Sequence, residues 1–357
     1  MTEAIVLVGG QGTRLRPLTA RTAKPLLPVG GVPFLAHQLA RLRDAGITHV
    51  VLATSYRAET FAEAFGDGSG LGLELEYVHE DVPLGTGGAL RNAAPALRGG
   101  PDEPVVVLNG DILSGHALAG QVARHVEADA DATLHLVRVP DARAFGCVPT
   151  DEAGRVTAFL EKMPEPVTDQ VNAGCYVFRR AVLDEVPAGR PVSVERETFP
   201  GLLAAGRLVL GVVDQAYWLD LGTPAAYVQG CVDVVRGVVR SSALPGEPGE
   251  RLLLDGAEVA PDAKVVGGTA VGRSARVAAG AEVDGSVLLE GAVVEAGAVV
   301  RGSVVGVGAS VGPGCVLEDA VVGDGARVGA RNELLAGVRI GCDAVLSEAA
   351  VRFSTDA

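Results

Sequence analysis

The C-terminal third of the chain carries the strongest constraint. From about residue 250, aliphatic residues recur every five or six positions with Gly or Ala between them. Examples are Val271-Gly-Arg-Ser-Ala-Arg, Val277-Ala-Ala-Gly-Ala-Glu, Val305-Gly-Val-Gly-Ala-Ser, Val311-Gly-Pro-Gly-Cys-Val and Val322-Gly-Asp-Gly-Ala-Arg. The fifth position is small: Ala275, Ala281, Ala309, Cys315, Ala326. A five-residue unit begins at Val266, Val283, Val300 and Leu317, so a five-six-six pattern repeats every 17 residues. Such a period predicts a parallel β-helix of hexapeptide type, three short strands per triangular coil. The aliphatic residue of each unit points inward to stack on the next coil, and the small residue sits near a corner. Antiparallel strands would instead alternate with period two. A narrow prism has no room for rings, which helps explain 48 glycines beside an aromatic share of 4%.

Ahead of the repeat, Arg240-Ser-Ser-Ala-Leu-Pro-Gly-Glu-Pro-Gly-Glu250 reads as a linker. The expected division is therefore a first domain over 1–239, a linker over 240–251 and the β-helix over 252–357, in keeping with a length of 357 residues. The first domain alternates strand-like runs (Ala4–Val8, His49–Ala53, Leu73–Val78, Val105–Leu108) with helical ones. One helix starts near Pro33, presents Leu35, Leu39 and Leu42 on one face and stops at Gly46. That alternation predicts an α/β fold with a mainly parallel sheet, whose ligands gather beyond the carboxyl ends of the strands. A 48% hydrophobic content argues against disorder, and no apolar run approaches the roughly 20 residues of a membrane span. The N-terminus has no basic signal region, and five cysteines without a CxxC pair argue against disulfide or zinc frameworks. A cytoplasmic protein is expected, with no membrane partner. A net charge of −14 without a basic stripe disfavours nucleic acid as a partner.

The first post-strand loop is Leu7-Val-Gly-Gly-Gln-Gly-Thr-Arg-Leu-Arg-Pro-Leu-Thr19. It lacks the third glycine of a dinucleotide fingerprint and the Gly-Lys-Ser/Thr of a Walker A loop. What remains is a turn whose backbone N–H groups can approach an anion, followed by Arg14 and Arg16. Lysines are rare, only Lys24, Lys162 and Lys264 among 30 basic residues. A compact ammonium can approach a reacting phosphate where the guanidinium fork does not fit.

Gly9-Gly-x-Gly-Thr-Arg-Leu-x-Pro-Leu-Thr, followed by Lys24-Pro-Leu-Leu-Pro-Val29, resembles the sugar-1-phosphate nucleotidyltransferases. The resemblance continues through Pro83-Leu-Gly-Thr-Gly-Gly-Ala89, Leu108-Asn-Gly-Asp111, Glu161-Lys162, Asn172-Ala-Gly174 and Tyr217-Trp-Leu-Asp-Leu-Gly-Thr-Pro224, and then through the β-helix. Phe145-Gly-Cys-Val-Pro-Thr150 and Ser193-Val-Glu-Arg-Glu197 resemble the actinobacterial-type mannose-1-phosphate guanylyltransferase branch. The fold implied is a Rossmann-like nucleotidyltransferase domain followed by a left-handed parallel β-helix of hexapeptide repeats. The activity implied is attack of a sugar 1-phosphate on the α-phosphorus of a nucleoside triphosphate, GTP in that branch, with release of pyrophosphate. A phosphate monoester is largely dianionic at neutral pH, so the nucleophile needs no strong protein base.

By this resemblance Leu7, Gly9, Gly10, Gly12, Thr13 and Arg14 hold the nucleotide, with Glu80, Gly85 and Thr86 at the base. Arg14, Lys24, Asp111 and Lys162 are the implied catalytic groups. Asp111 and Asp220 would hold Mg²⁺, and Asn109, Gly146, Glu161, Lys162 and Asn172 the sugar phosphate. Ala23 and Met163 stand where the family often has proline. Glu80 occupies the place of a glutamine found in thymidine- and uridine-preferring relatives. An ionised carboxylate is acceptor-only and suits the N1–H and N2–H₂ edge of guanine. Read without the resemblance, Asp111 and Asp220 could equally cap neighbouring turns or helices. A glucose-1-phosphate thymidylyl- or uridylyltransferase and a non-catalytic nucleotide-sugar-binding subunit are the competing readings. Acyl transfer in the β-helix is rejected, because all six histidines precede residue 136. The β-helix is expected to act structurally, through homo-oligomerisation or docking. Cys147 and Cys175 are expected to be buried packing groups.

Overall fold

The computed structural model describes residues 2–143, 145–160 and 164–353. Backbone contacts divide the chain into two compact units, 1–10 with 38–218, and 11–37 with 219–357. The glycine-loop segment from residue 11 thus groups with the β-helix by backbone contacts.

The first unit is built on a seven-stranded sheet. Its elements are β1 (Glu3–Leu7), β2 (His49–Thr54), α1 (Ala58–Phe65), β3 (Glu74–His79), α2 (Gly85–Ala93), β4 (Pro104–Asn109), α3 (Leu118–Glu127), β5 (Ala132–Arg138), β6 (Gln170–Arg179) and β7 (Val209–Asp214). The strand order is β7-β5-β6-β4-β1-β2-β3. All neighbours are parallel except β6, which runs antiparallel to both β4 and β5. Central strands read as unbroken apolar runs because both faces are covered; Val105, Val106, Val107 and Leu108 of β4 are all buried. On one face Ile5, Val51, Val107, Leu134, Tyr176 and Phe178 share a core. Phe178 stacks on Phe199 with centroids 5.5 Å apart. The expected helix runs Phe34–Asp44, buries Leu35, Leu39 and Leu42, and is followed by Gly46 at φ 82°. Pro33 lies just before it, in a two-residue ladder with Pro28.

The second unit contains the three parallel sheets of a left-handed β-helix, with six, six and five strands. Val265, Val283, Val300, Leu317 and Leu334 stack in one buried column, and Ala275, Ala281, Ala292, Ala298, Ala309, Cys315 and Ala326 fill the small positions.

The register corrects one detail of the sequence reading. Val265, not Val266, pairs with Val283, while Val266 pairs with Asp284 and is half-buried. Successive strands are offset by 17 residues through the middle coils, as in Val283↔Val300, but by 18 in the first and last coils, as in Val265↔Val283 and Val321↔Arg339. Both extra residues fall at the same corner of the prism. One left-handed residue turns that corner in the middle coils: Gly285 (φ 51°), Gly302 (φ 55°) or Asp319 (φ 53°). In the first and last coils two do: Gly267 (φ 73°) with Gly268 (φ 80°), and Ala336 (φ 55°) with Gly337 (φ 79°). Valine at both 265 and 266 hides the first insertion from a period count. Among the described residues no helix is long and apolar enough to cross a membrane.

The corrected register has a measurable consequence. Val265→Ala removes two buried carbons and should lower stability by about 1.5 kcal/mol or more. Val266→Ala should cost no more than about 0.5 kcal/mol. Urea unfolding of the two variants separates the registers, and equal losses would restore the uninterrupted period.

Candidate active site

In the first unit, the loops after β1, β2, β3 and β4 follow the carboxyl ends of four adjacent parallel strands. Val8 N–H continues the ladder to Ala53 O, and Gly9 O accepts from Ser55 Oγ at 2.8 Å. A Cβ on Gly9 would lie 2.6 Å from Ser55 Oγ and 3.5 Å from Glu80 Oε1. Glycine at position 9 is therefore required by close approach, and the approach brings the Glu80 carboxylate beside the loop. Glu80 Oε2 accepts from Leu84 N–H at 3.3 Å. Burial raises the Glu80 carboxyl above its ordinary pKa, opposed by that N–H and by His79. Gly10 has open space around it.

After β4, Gly110 N–H donates to Leu7 O at 2.9 Å, and a Cβ there would sit 2.4 Å from that oxygen. The half-buried Asp111 is thereby delivered to the same strand edge. It does not cap a helix, since Ile112–Ser114 is extended and the next helix starts at Leu118. Gln38 Nε2 ties Asn109 O (2.8 Å) to Ile112 O (3.1 Å).

Gly85 opens α2 at φ 69°, where a Cβ would meet Val192 O at 2.7 Å. The hydroxyl of Thr86 donates to Glu195 Oε2 (3.1 Å) and accepts from Val194 N–H (2.9 Å). Glu195 also accepts from Ser193 Oγ and from Tyr176 OH, which in turn accepts from Asn172 Nδ2 at 2.8 Å. One hydrogen-bonded chain thus joins two positions expected at opposite substrates, Thr86 and Asn172. Motif reading left Glu195, Ser55 and Gln38 without roles; only their spatial neighbours mark them. Gly146 precedes Cys147, whose backbone pairs with Leu160 (2.9 and 3.0 Å). Nearby, Trp218 donates to Ala173 O at 3.0 Å and meets Phe145 edge-on. Cys147 and Cys175 are buried, and burial pushes the Cys175 thiol up to about 12. Glu161 and Lys162 lie outside the described residues.

The second unit carries the rest of the loop. Gly12 turns at φ 61°, its oxygen accepts from Thr19 Oγ1 at 2.8 Å, and a Cβ would lie 2.9 Å from Lys24 Cβ. Lys24 is thus seated directly under the turn and is buried, while Thr13 and Arg14 remain exposed. The structure brings Lys24, Arg14 and Asp220 together. Lys24 Nζ and Arg14 Nη2 each lie 3.9 Å from an oxygen of the Asp220 carboxylate. Gly222 makes room for the pair: a Cβ there would stand 2.5 Å from Arg14 Nη2. Asp220 is not a helix cap, because Thr223 caps the following helix, accepting from Ala226 N–H at 3.2 Å. Such a cluster carries a net positive charge beside exposed backbone, an arrangement suited to a polyanion.

The family model described as nucleotidyl transferase matches residues 3–236, and the one described as GMPPB C-terminal domain matches 249–353. The chain belongs to the nucleotidyl transferase family. It is 56% identical over 355 residues to the mannose-1-phosphate guanylyltransferase of Mycobacterium tuberculosis, covering 99% of this chain and 98% of that protein. It is 39% identical over 231 residues to the catalytic subunit beta of the Drosophila pseudoobscura enzyme of that name, covering 64% and 61%. Among solved structures, HddC from Yersinia pseudotuberculosis complexed with GMP-PN aligns at TM-score 0.55 and 27% identity, over 65% of this chain and 98% of that one. A putative glucose-1-phosphate thymidylyltransferase from Bacillus anthracis shares the fold at TM-score 0.62 and 23% identity, over 69% and 100%.

The close contacts at Gly110 and Gly222 in this transferase differ in what a methyl group would displace. Gly110→Ala drives a methyl into the β1 backbone and should cost about 1–3 kcal/mol. Gly222→Ala displaces only side-chain ends, the Arg14 guanidinium and the Asp220 carboxylate, and should stay within about 0.5 kcal/mol. Denaturant midpoints of both variants test this ordering.

Proposed function

We propose that the chain transfers GMP from GTP to mannose 1-phosphate, giving GDP-mannose and pyrophosphate. The observation that carries the reading is the gathering of Lys24, Arg14 and Asp220 around the Gly12 turn, in a chain similar nearly end to end to a mannose-1-phosphate guanylyltransferase. The glycine turn approaches the triphosphate with backbone alone. Arg14 offers a fork to its outer oxygens, and the Lys24 ammonium neutralises charge that builds on the α-phosphate and the departing pyrophosphate. The sugar 1-phosphate supplies its own dianionic nucleophile, so positioning replaces general-base catalysis. Lys162, Glu161, Asn109, Gly146 and Asn172 are the groups we assign to it.

Transferases of this family generally work with a divalent metal. We assign Mg²⁺ to Asp111 and Asp220, whose carboxylate oxygens are the hard donors it prefers. Among the described residues no group of three or more His, Cys, Asp or Glu would form an all-protein cage. Mg²⁺ commonly takes one or two carboxylates and leaves its other positions to phosphate and water. When bound, it would polarise the phosphates and stabilise the leaving pyrophosphate. We place the reaction in the cytoplasm. A matrix of GTP, ATP, UTP and dTTP against mannose, glucose and heptose 1-phosphates, scored by pyrophosphate release, tests the reading. The GTP and mannose 1-phosphate pair should give the highest kcat/KM, and preference for another pair would overturn it.

Glu80 is the residue we assign to guanine. Its carboxylate lies beside Gly9 and is raised in pKa by burial. Only the ionised form accepts from both N1–H and N2–H₂. Because the pKa is raised, recognition should be complete well above the ordinary carboxylate range and fade as pH falls through the elevated value. The KM for GTP should climb with acidification in the wild type. Glu80→Gln should abolish that dependence and lower the preference for GTP over UTP and dTTP by about tenfold or more, the scale of one hydrogen bond to a charged group.

A further inference from the structure

The glycine-loop segment is gripped by the end of the β-helix, at and just after the strand Arg339–Ile340. Arg339 Nη1 donates to the main-chain oxygens of both Arg14 (2.8 Å) and Arg16 (3.1 Å). Two further contacts flank this one: Arg21 pairs with Asp343, and Cys342 Sγ donates to Pro17 O at 3.7 Å. Three neighbouring β-helix residues therefore hold the segment Arg14–Arg21 along its backbone and at one charged side chain.

Arg339 occupies its place because of the added residue in the Leu335–Val338 corner. An uninterrupted 17-residue repeat would set Val338 opposite Val321; the insertion sets Arg339 there, with Ile340 turned inward beside Val322. Arg339 is exposed and Ile340 buried, unlike Val304 and Val321 at the same position in the preceding strands of this sheet, which are buried. The insertion thus exchanges an aliphatic side chain for a guanidinium at that position. A guanidinium suits the task because one terminal nitrogen carries two N–H groups in fixed directions, one for each carbonyl.

We propose that Arg339 is a positioning residue for the nucleoside triphosphate. By fixing the carbonyls on both sides of Leu15, it sets the backbone direction from which the Arg14 side chain extends toward Asp220. It touches no substrate on this reading. The β-helix then contributes to nucleotide binding and is more than a scaffold. The inference rests on the assignment of the glycine loop to the triphosphate.

Steady-state kinetics of the full chain with GTP and mannose 1-phosphate test it, alongside thermal unfolding and calorimetric GTP binding. Arg339→Ala should raise the KM and Kd for GTP about tenfold, the scale of one charge-assisted hydrogen bond. The KM for mannose 1-phosphate and the Tm should stay at wild-type values. Arg339→Lys should recover most of the loss, since an ammonium still donates to both oxygens. Arg301→Ala, which removes a surface pairing with Glu282 and Glu318 elsewhere on the prism, should leave GTP binding unchanged. Unchanged GTP binding in Arg339→Ala overturns the proposal. So does an equal effect of Arg301→Ala, or a drop in kcat and Tm with KM untouched. A wild type that releases no pyrophosphate from any pair overturns the functional reading instead, and the calorimetric comparison then still decides the role of Arg339.

Discussion

The second unit is organised around a buried ammonium under a left-handed turn. Lys24 lies so close beneath Gly12 that a single added carbon would collide with it, and its side chain is only 9% exposed. Burying an ammonium costs several kcal/mol unless a counter-charge compensates. Asp220 provides one at 3.9 Å, where opposite charges attract by about 4 kcal/mol at an effective dielectric near 20. That separation is longer than a direct hydrogen bond, so the ammonium is compensated without being locked to the carboxylate. Arg14 shares the same carboxylate at the same distance, leaving the trio with one surplus positive charge.

This local surplus reconciles a net charge of −14 with polyanionic substrates. Over more than a Debye length, roughly 8 Å in physiological salt, exposed charges are screened. What a triphosphate meets is therefore the nearest few residues rather than the whole chain. Glycine helps in both units for the same steric reason. At Gly9, Gly12 and Gly110 the space a Cβ would need is taken by Ser55, Lys24 and the Leu7 carbonyl. The contacts at Gly9 and Gly110 let segments after separate strands lie against one another, and that at Gly12 folds the glycine loop back onto itself.

The repeat and the strand alternation were legible because each follows a simple period that packing enforces. Every inward column of the β-helix and all four early strands were readable within a residue or two. Register was harder: an extra residue at Gly267-Gly268 leaves the aliphatic pattern intact, since a valine stands at either candidate position. The Gly12, Arg14, Lys24 and Asp220 grouping was visible only through resemblance, as about 200 residues separate its members along the chain. Glu195 lies in a motif that marked the branch, but no sequence feature assigned it a role of its own. An acid beside an arginine and another acid reads as surface, and its role as acceptor for Thr86, Ser193 and Tyr176 exists only in three dimensions. Thr86, expected at the nucleotide, donates its hydroxyl hydrogen to Glu195 and accepts from Val194 N–H, which leaves one acceptor lone pair of the hydroxyl open.

The two insertions follow one rule. A solenoid of identical coils presents an outward surface with the same repeat. Neither the helix Pro224–Arg236 nor the glycine-loop segment has such a repeat. At the first coil, Gly268 sits where a Cβ would meet Val232 Cγ1 at 2.9 Å and Arg236 Cγ at 3.0 Å, so the doubled glycine corner lets that helix approach the prism. At the last coil, the doubled corner at Ala336-Gly337 advances the register by one and turns an arginine toward the loop carbonyls. The middle coils, which turn the corner with a single left-handed residue, keep strict period. In this chain the repeat is broken where the prism must fit something that does not repeat, so departures from period mark its working contacts more directly than the period itself.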